Sequence, residues 1–355
     1  MSLSIGIVGL PNAGKSTLFN ALLKKQIADV APYPFCTVEP NKGIVEVPDG
    51  RLPVLAKITG VSKIIPAVVE FIDIAGLVKG AHKGEGLGNK FLANIREVSI
   101  ICHLIRFFKD DNIAHVEGRV DPESDVEIIN SELILADLQT LDKQKEVKFT
   151  NNKEEKIRWE AIVKLKQELN QGKLATRVDL SDQQRELIKE LFLLTDKPVI
   201  YLANVGEDQL ADQKVISDFK YQPVIAISAK MEFELAALSD EDQKEYLTQY
   251  HLSEPGLNRL IKQAYQTSGL ISFFTTTGNK EVRAWTIKQE TDAKDAAGAV
   301  HSDFKDNFIK ADVVSFEDFV QYGGWVNARA AGKVRSEGKD YLVADGEVVE
   351  FKIGV

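Results

Sequence analysis

Cysteine is nearly missing from this chain. Cys36 and Cys102 are the only two in 355 residues, which excludes a disulfide framework and leaves no C-x-x-C pair for zinc or redox chemistry. The five histidines show no zinc-ligand spacing. Long apolar runs are missing too: no stretch approaches the roughly 18 to 20 residues that span a bilayer, and the run Leu3 to Val8 begins with no signal peptide read ahead of it. These lacks predict a soluble, cytoplasmic protein of a reducing compartment with no membrane partner. Positive charge is also short, 44 Lys and Arg against 53 Asp and Glu for a net −9, which argues against a protein that coats nucleic acid as a whole while leaving a local basic face open. Apolar residues are plentiful at 44%, enough for packed cores, and the length suits roughly two to three domains of about 150 residues each.

The most informative segment is Gly9-Leu10-Pro11-Asn12-Ala13-Gly14-Lys15-Ser16-Thr17, which follows the apolar run directly. It is a G-x-x-x-x-G-K-S phosphate loop between a strand and a helix, so the chain reads as a nucleotide binder. Backbone N–H groups of the loop, from Asn12, Ala13, Gly14 and Thr17 among others, turn toward phosphates. Lys15 adds a point charge, and the Ser16 hydroxyl is offered to Mg²⁺.

Short β-rich runs alternate with helical patterns from residue 1 to 136, and the rhythm returns at Pro198 to Ala203 and Pro223 to Ile227. This predicts one α/β domain, mostly parallel, made of residues 1–136 and 198–270. Between the two parts the pattern turns helical (Ile129, Leu133, Ala136, Leu141, then Ile157, Ala161, Lys164, Leu165), which predicts an inserted helical hairpin or short coiled coil over 137–197. Residues 143–173 carry nine basic and five acidic side chains. That is either a solvated helix surface or a nucleic-acid contact. From 271 to 355, strands are predicted at Ile271 to Thr275, Glu281 to Ile287, Tyr341 to Val343 and Val348 to Ile353, with a helix near Ala296 to Phe304, as in a small α+β module.

Further elements complete a nucleotide site. Asp73-Ile74-Ala75-Gly76 ends an apolar strand in D-x-x-G form, Asp73 for the metal and the Gly76 N–H for a γ-phosphate. Thr37 sits where a switch threonine would complete the metal shell, and Gly80, Gly84, Gly86 and Gly88 mark a second switch. Asn204-Val205-Gly206-Glu207 occupies the place of a guanine-reading N-K-x-D. Glu207 is one methylene longer than aspartate, and Val205 offers no lysine stem to pack on a base. Both changes favour adenine, with GTP left open. Ser228-Ala229-Lys230 follows the next strand as the loop that closes over the base.

The order G-L-P-N-A-G-K-S-T, P-F-C-T, D-I-A-G-L, N-V-G-E and S-A-K resembles the Obg-like ATPase (YchF) family of translation-factor-class P-loop enzymes over essentially the whole chain. The resemblance implies an α/β G domain, a helical coiled-coil insertion and a C-terminal TGS domain of β-grasp fold. It also implies ATP preferred over GTP, ribosome association, and links to translation and stress control. Leu77 stands where related switches place a water-orienting glutamine. In the family a loop histidine takes that role, and it aligns with His115, which by itself reads as a surface loop histidine. Asn12 is a candidate for helping to hold K⁺, or for bonding phosphate or its own backbone. A GTPase translation factor, a nucleotide-gated binding module without meaningful hydrolysis and a simple RNA-binding protein are the alternatives. Nothing in the sequence demands more than a monomer.

Overall fold

The computed structural model describes residues 3–28, 42–74, 95–110, 112–116, 118–146, 152–212, 214–276 and 280–354. They fall into two compact units, one of Ser4–Gly43 and Glu70–Arg259, the other of Met1–Leu3, Ile44–Val69 and Leu260–Val355. Twelve strands occur among the described residues: β1 (Leu3–Val8), β2 (Lys42–Glu46), β3 (Ile64–Ile65), β4 (Val68–Asp73), β5 (Ile100–Arg106), β6 (Val199–Asn204), β7 (Val224–Ile227), β8 (Leu270–Thr275), β9 (Val282–Lys288), β10 (Phe308–Val314), β11 (Arg335–Glu337) and β12 (Val348–Ile353). No described helix is long and apolar enough to cross a membrane.

The first sheet has the order β2-β4-β1-β5-β6-β7. Its centre is parallel, with Ile5 beside Ile100, Cys102 beside Ile200 and Ala203 beside Ala226. Every residue of β1 and β5 is buried, as a parallel sheet covered on both faces requires. Val8, Ile72, Ile74 and Ile101 pack on Ile129, Leu133 and Ala136 of the helix Pro122–Asp142. That helix starts where its sequence directs: Asp121 caps the Ser124 N–H, proline opens the first turn, and Glu123 and Asp125 meet the positive end of the dipole.

The second half of the same helix belongs to another core. Ile134 and Leu141 pack with Ala161, Ile162, Leu165 and Leu169 from the helix Lys153–Asn170, so the helical periods of the sequence do form a packed pair of helices. The border expected at 136/137 falls inside one 21-residue helix. At that point Asp137, buried, accepts from the Leu194 and Thr195 N–H groups at 2.7 and 2.8 Å and from the Thr195 hydroxyl at 2.7 Å. Burial pushes its carboxyl pKa up, and these bonds pull it back.

The second unit holds a mixed sheet in the order β11-β10-β12-β8-β9-β3, with Ile271, Phe273, Ala293, Ala296, Val313 and Val349 in its core. The sequence pattern predicts β8, β9 and β12 but passes over β10, which lies between β11 and β12 and pairs antiparallel with both. The reason is Asp312. This charge sits buried mid-strand, held by the Ser336 hydroxyl at 2.6 Å, Arg329 at 3.0 Å and Lys310 at 3.1 Å, and it breaks the apolar pattern that marks a strand. Tyr341 to Val343, expected as a strand, is not one. Leu342 makes an isolated bridge to Asp292, while the Tyr341 hydroxyl donates to Glu347 at 2.6 Å.

Candidate functional site

At the C-terminal end of β1 the chain must turn sharply, and Gly9 allows it: a Cβ there would sit 2.3 Å from the Leu104 carbonyl oxygen of the neighbouring strand. The loop then enters the helix Lys15–Ala28 through Gly14, at φ +103°. Over the C-terminal ends of the parallel strands, where ligands of open α/β sheets bind, lies a cavity of about 670 Å³. The phosphate loop contributes Asn12, Gly14, Lys15, Ser16 and Thr17 to its wall. Asn204, Val205, Gly206 and Glu207 come from the end of β6, and Ser228, Ala229 and Lys230 from the end of β7. Segments roughly 190 and 215 residues beyond the loop are thus brought to one hollow by strand order.

Asn204 is the strut of this assembly. Its side-chain amide donates to the Ala13 carbonyl at 2.8 Å, and its oxygen accepts from the Ala229 N–H at 3.0 Å. Ala13 therefore backs the loop from a buried position rather than lining the cavity. Val205 is only 2% exposed and packs with Leu210, Met231 and Leu235, so its side chain serves the core. Ser228 caps the helix Ala229–Leu235 by accepting from the Met231 N–H at 3.3 Å. Glu207 stands at the mouth, with Lys230 3.0 Å from one carboxylate oxygen and the Tyr250 hydroxyl 3.2 Å from the other. Thr37, Gly76, Leu77 and the glycines from Gly80 to Gly88 lie outside the described residues.

A fourth wall was not anticipated from the sequence. Phe108, Lys109, Asp110 and Ile113, on the loop after β5, also line the cavity. Buried Arg106 at the end of β5 shapes this loop by donating to the carbonyls of Phe108 (3.2 Å), Asp110 (3.1 Å) and Ile113 (3.0 Å). The only available signal was position, since the loop follows a buried strand at the ligand-binding edge of the sheet. Asn12, itself at φ +64°, reaches the same loop through a 3.0 Å bond to the Ala114 carbonyl. Next to it, His115 is neither exposed nor part of the cavity wall. Its side chain is 5% exposed, with Nε2 3.1 Å from Asp125 Oδ2, which corrects the reading of a surface histidine: the helix Pro122–Asp142 brings its first turn over the loop.

The electrostatics centre on Lys15. Its ammonium donates to the carbonyls of Gly9 and Leu10 at 2.8 and 2.9 Å. Burial lowers its pKa and the Asp73 charge raises it; burial raises the pKa of Asp73 and Lys15 lowers it. Asp73 Oδ1 is buried with no hydrogen-bond partner among the described residues. Beneath the loop, on β5, His103 is buried with its Nε2 likewise unpartnered there, and burial followed by the Lys15 charge takes its pKa from 6.5 down to about 3. It is neutral at pH 7. The unfolded chain takes up this proton below pH 6.5 and the folded chain does not, so stability falls as pH drops from 6.5 toward 3 at about 1.4 kcal/mol per pH unit for one proton. The variant His103→Leu is expected to show a shallower acid limb in urea melts between pH 6.5 and 4. Superimposable limbs would count against the assignment.

Comparison with known proteins agrees with this geometry. The sequence family model described as 50S ribosome-binding GTPase matches residues 4–147, and the YchF-GTPase C-terminal model, described as a protein of unknown function, matches residues 270–354. The chain is 48% identical to the ribosome-binding ATPase YchF of Bacillus subtilis and 46% identical to that of Escherichia coli O157:H7, each alignment covering 100% of both chains. Among solved structures, the Schizosaccharomyces pombe YchF GTPase superposes with a TM-score of 0.86 at 35% identity, covering 99% of this chain and 98% of that one. An α/β phosphate-loop domain, a second unit matched by the YchF C-terminal family and full-length identity near one half leave one assignment: the chain belongs to the YchF family.

Proposed function

We propose that this protein is a cytoplasmic, Mg²⁺-dependent ATPase that hydrolyses ATP to ADP and phosphate and acts as a nucleotide-controlled switch on the ribosome, modulating translation or a stress response. The observation that carries the reading is the single cavity into which the phosphate loop, the ends of β6 and β7, and the loop after β5 all face. The names of the B. subtilis and E. coli relatives, ribosome-binding ATPase, supply the base and the partner. The switch works as a monomer with a three-part division, residues 1–136 with 198–270 for the nucleotide, and 137–197 and the TGS module 271–355 for the ribosome, the helix Pro122–Asp142 running across the border between the first two parts.

Phosphates would rest on the N–H groups of Asn12 to Thr17 at the helix N-terminus. The donor set suits Mg²⁺, which keeps waters and phosphate oxygens beside one or two protein oxygens. Asp73 Oδ1 is a buried acceptor with no partner among the described residues, Ser16 lines the cavity, and Thr37 is the third candidate. Mg²⁺ held there would supply positive charge to the phosphates. The Asn12 amide oxygen is the group that would meet K⁺, and the Gly76 N–H the one that would meet the γ-phosphate.

Leu77 has no group to orient water, so that role is assigned to His115, the histidine that the family resemblance aligns with it, which lies outside the cavity wall with Nε2 3.1 Å from Asp125 Oδ2. Hydrolysis is then slow without the ribosome. The variant His115→Ala is expected to bind ATP as wild type does while losing about 10²-fold or more in single-turnover hydrolysis measured with ribosomes. Turnover equal to wild type would remove His115 from the mechanism.

Base choice has a competing reading, because the S. pombe relative is titled a GTPase. Calorimetric titration decides it: tighter binding of ATP is expected, and a GTP affinity tenfold higher, about 1.4 kcal/mol, would overturn the ATP assignment.

A further inference from the structure

The position that reads guanine in related switches is filled here by a carboxylate that is already engaged. Glu207 opens a short turn of helix, Glu207–Gln209, just beyond β6, and both Glu207 and Lys230 line the nucleotide cavity. Lys230 Nζ lies 3.0 Å from Glu207 Oε1. The Tyr250 hydroxyl, at the C-terminal cap of the helix Asp240–Gln249, donates to Oε2 at 3.2 Å. The arrangement continues behind them. Lys230 is 3.9 Å from Glu234, which accepts from the Tyr246 hydroxyl at 2.8 Å, and the rings of Tyr246 and Tyr250 are 5.3 Å apart.

Guanine recognition by a carboxylate needs both oxygens turned to the base, to accept from N1–H and N2–H₂ at once. In this chain each oxygen carries a donor of the protein's own, and the exposed Lys230 ammonium offsets part of the charge that would attract those N–H groups. Tyr250 does not line the cavity; it acts on the base only through Glu207.

We propose that Tyr250 and Lys230 are specificity-determining residues that hold the Glu207 carboxylate away from the base, so that guanine gains nothing from it and adenine is preferred. The proposal rests on the reading of this cavity as an ATP site. It assigns the preference to a lock on Glu207, beyond the extra methylene.

The test is titration calorimetry of the full-length wild type, Tyr250→Phe, Lys230→Met and the double variant with MgATP and MgGTP. Tyr250→Phe keeps the ring against Tyr246, and Lys230 is exposed, so both variants retain the packing. The ratio of Kd for GTP to Kd for ATP is expected to fall at least threefold in the double variant. Adding Glu207→Gln to that background is expected to return the ratio to the wild-type value. A ratio that falls less than threefold overturns the lock, and so does a fall that persists with Glu207→Gln, since the released group would then not be the carboxylate. The two readings fail differently: a wild type that prefers GTP overturns both, whereas a wild type that prefers ATP with an unmoved ratio in the double variant overturns the lock alone.

Discussion

Replacing Lys15 with methionine is expected to leave the fold intact and to lower single-turnover ATP hydrolysis by about 10² to 10³-fold, the usual loss when one preorganised donor to a charged transition state is removed. Methionine keeps the unbranched stem along the first turn of the helix Lys15–Ala28. What disappears is an ammonium held between the carbonyls of Gly9 and Leu10 and facing Asp73. A second effect follows from the same charge. Burial already raises the pKa of Asp73 and Lys15 opposes that rise, so the variant moves the carboxyl further up. The ionised form that would hold Mg²⁺ is lost as pH falls through the folded-state pKa, and in Lys15→Met this loss begins at a higher pH. Rate against pH at fixed Mg²⁺ checks both parts. An acid limb in the same place as wild type would mean that the two groups are not coupled.

Gly14→Ala is the second large effect. At φ +103° an L side chain is strained, and the added Cβ would lie 2.3 Å from the Asn204 amide nitrogen. Asn204 cannot swing aside, because it is fixed at both ends, to the Ala13 carbonyl and the Ala229 N–H. The phosphate loop has to move instead. A stability loss of about 1–3 kcal/mol and at least a tenfold weaker ATP affinity are expected. Combining it with Asn204→Ala removes the obstacle, so the two changes should be non-additive by about 0.5–3 kcal/mol in denaturant melts. Additive losses, or Gly14→Ala binding ATP as wild type does, would show that the contact does not govern the loop.

Much of the architecture was legible because its signals are local. The run Leu3 to Val8 followed by G-x-x-x-x-G-K-S can hardly be anything but strand, loop and helix, and the helical periods around Ile129 to Leu141 and Ile157 to Leu165 form two packed helices. Where the reading failed, a tertiary contact overrode the local pattern. Asp312 disguises β10 because its charge is met by Ser336, Arg329 and Lys310, and Tyr341 to Val343 looks like a strand although the Tyr341 ring is drawn to Glu347. The helix Pro122–Asp142 serves two cores at once, so a border drawn from periodicity cuts through it.

The site divides along the same line. Phosphate-loop chemistry, the ligand class and the departure from a guanine motif at Val205 and Glu207 follow from residue types at short spacing, because turns, caps and phosphate cradles are closed within a few residues. The roles of Asn204, Arg106 and Asp125 do not follow, nor does the capture of Glu207 by Lys230 and Tyr250. Each depends on a partner that chain topology delivers: Ala13 to Asn204 across 191 residues, Asn12 to Ala114 across 102, Glu207 to Tyr250 across 43. Most buried polar groups find a partner wherever the fold places one, and that choice is made by the order of the strands, after the local sequence has already determined what each strand end can offer.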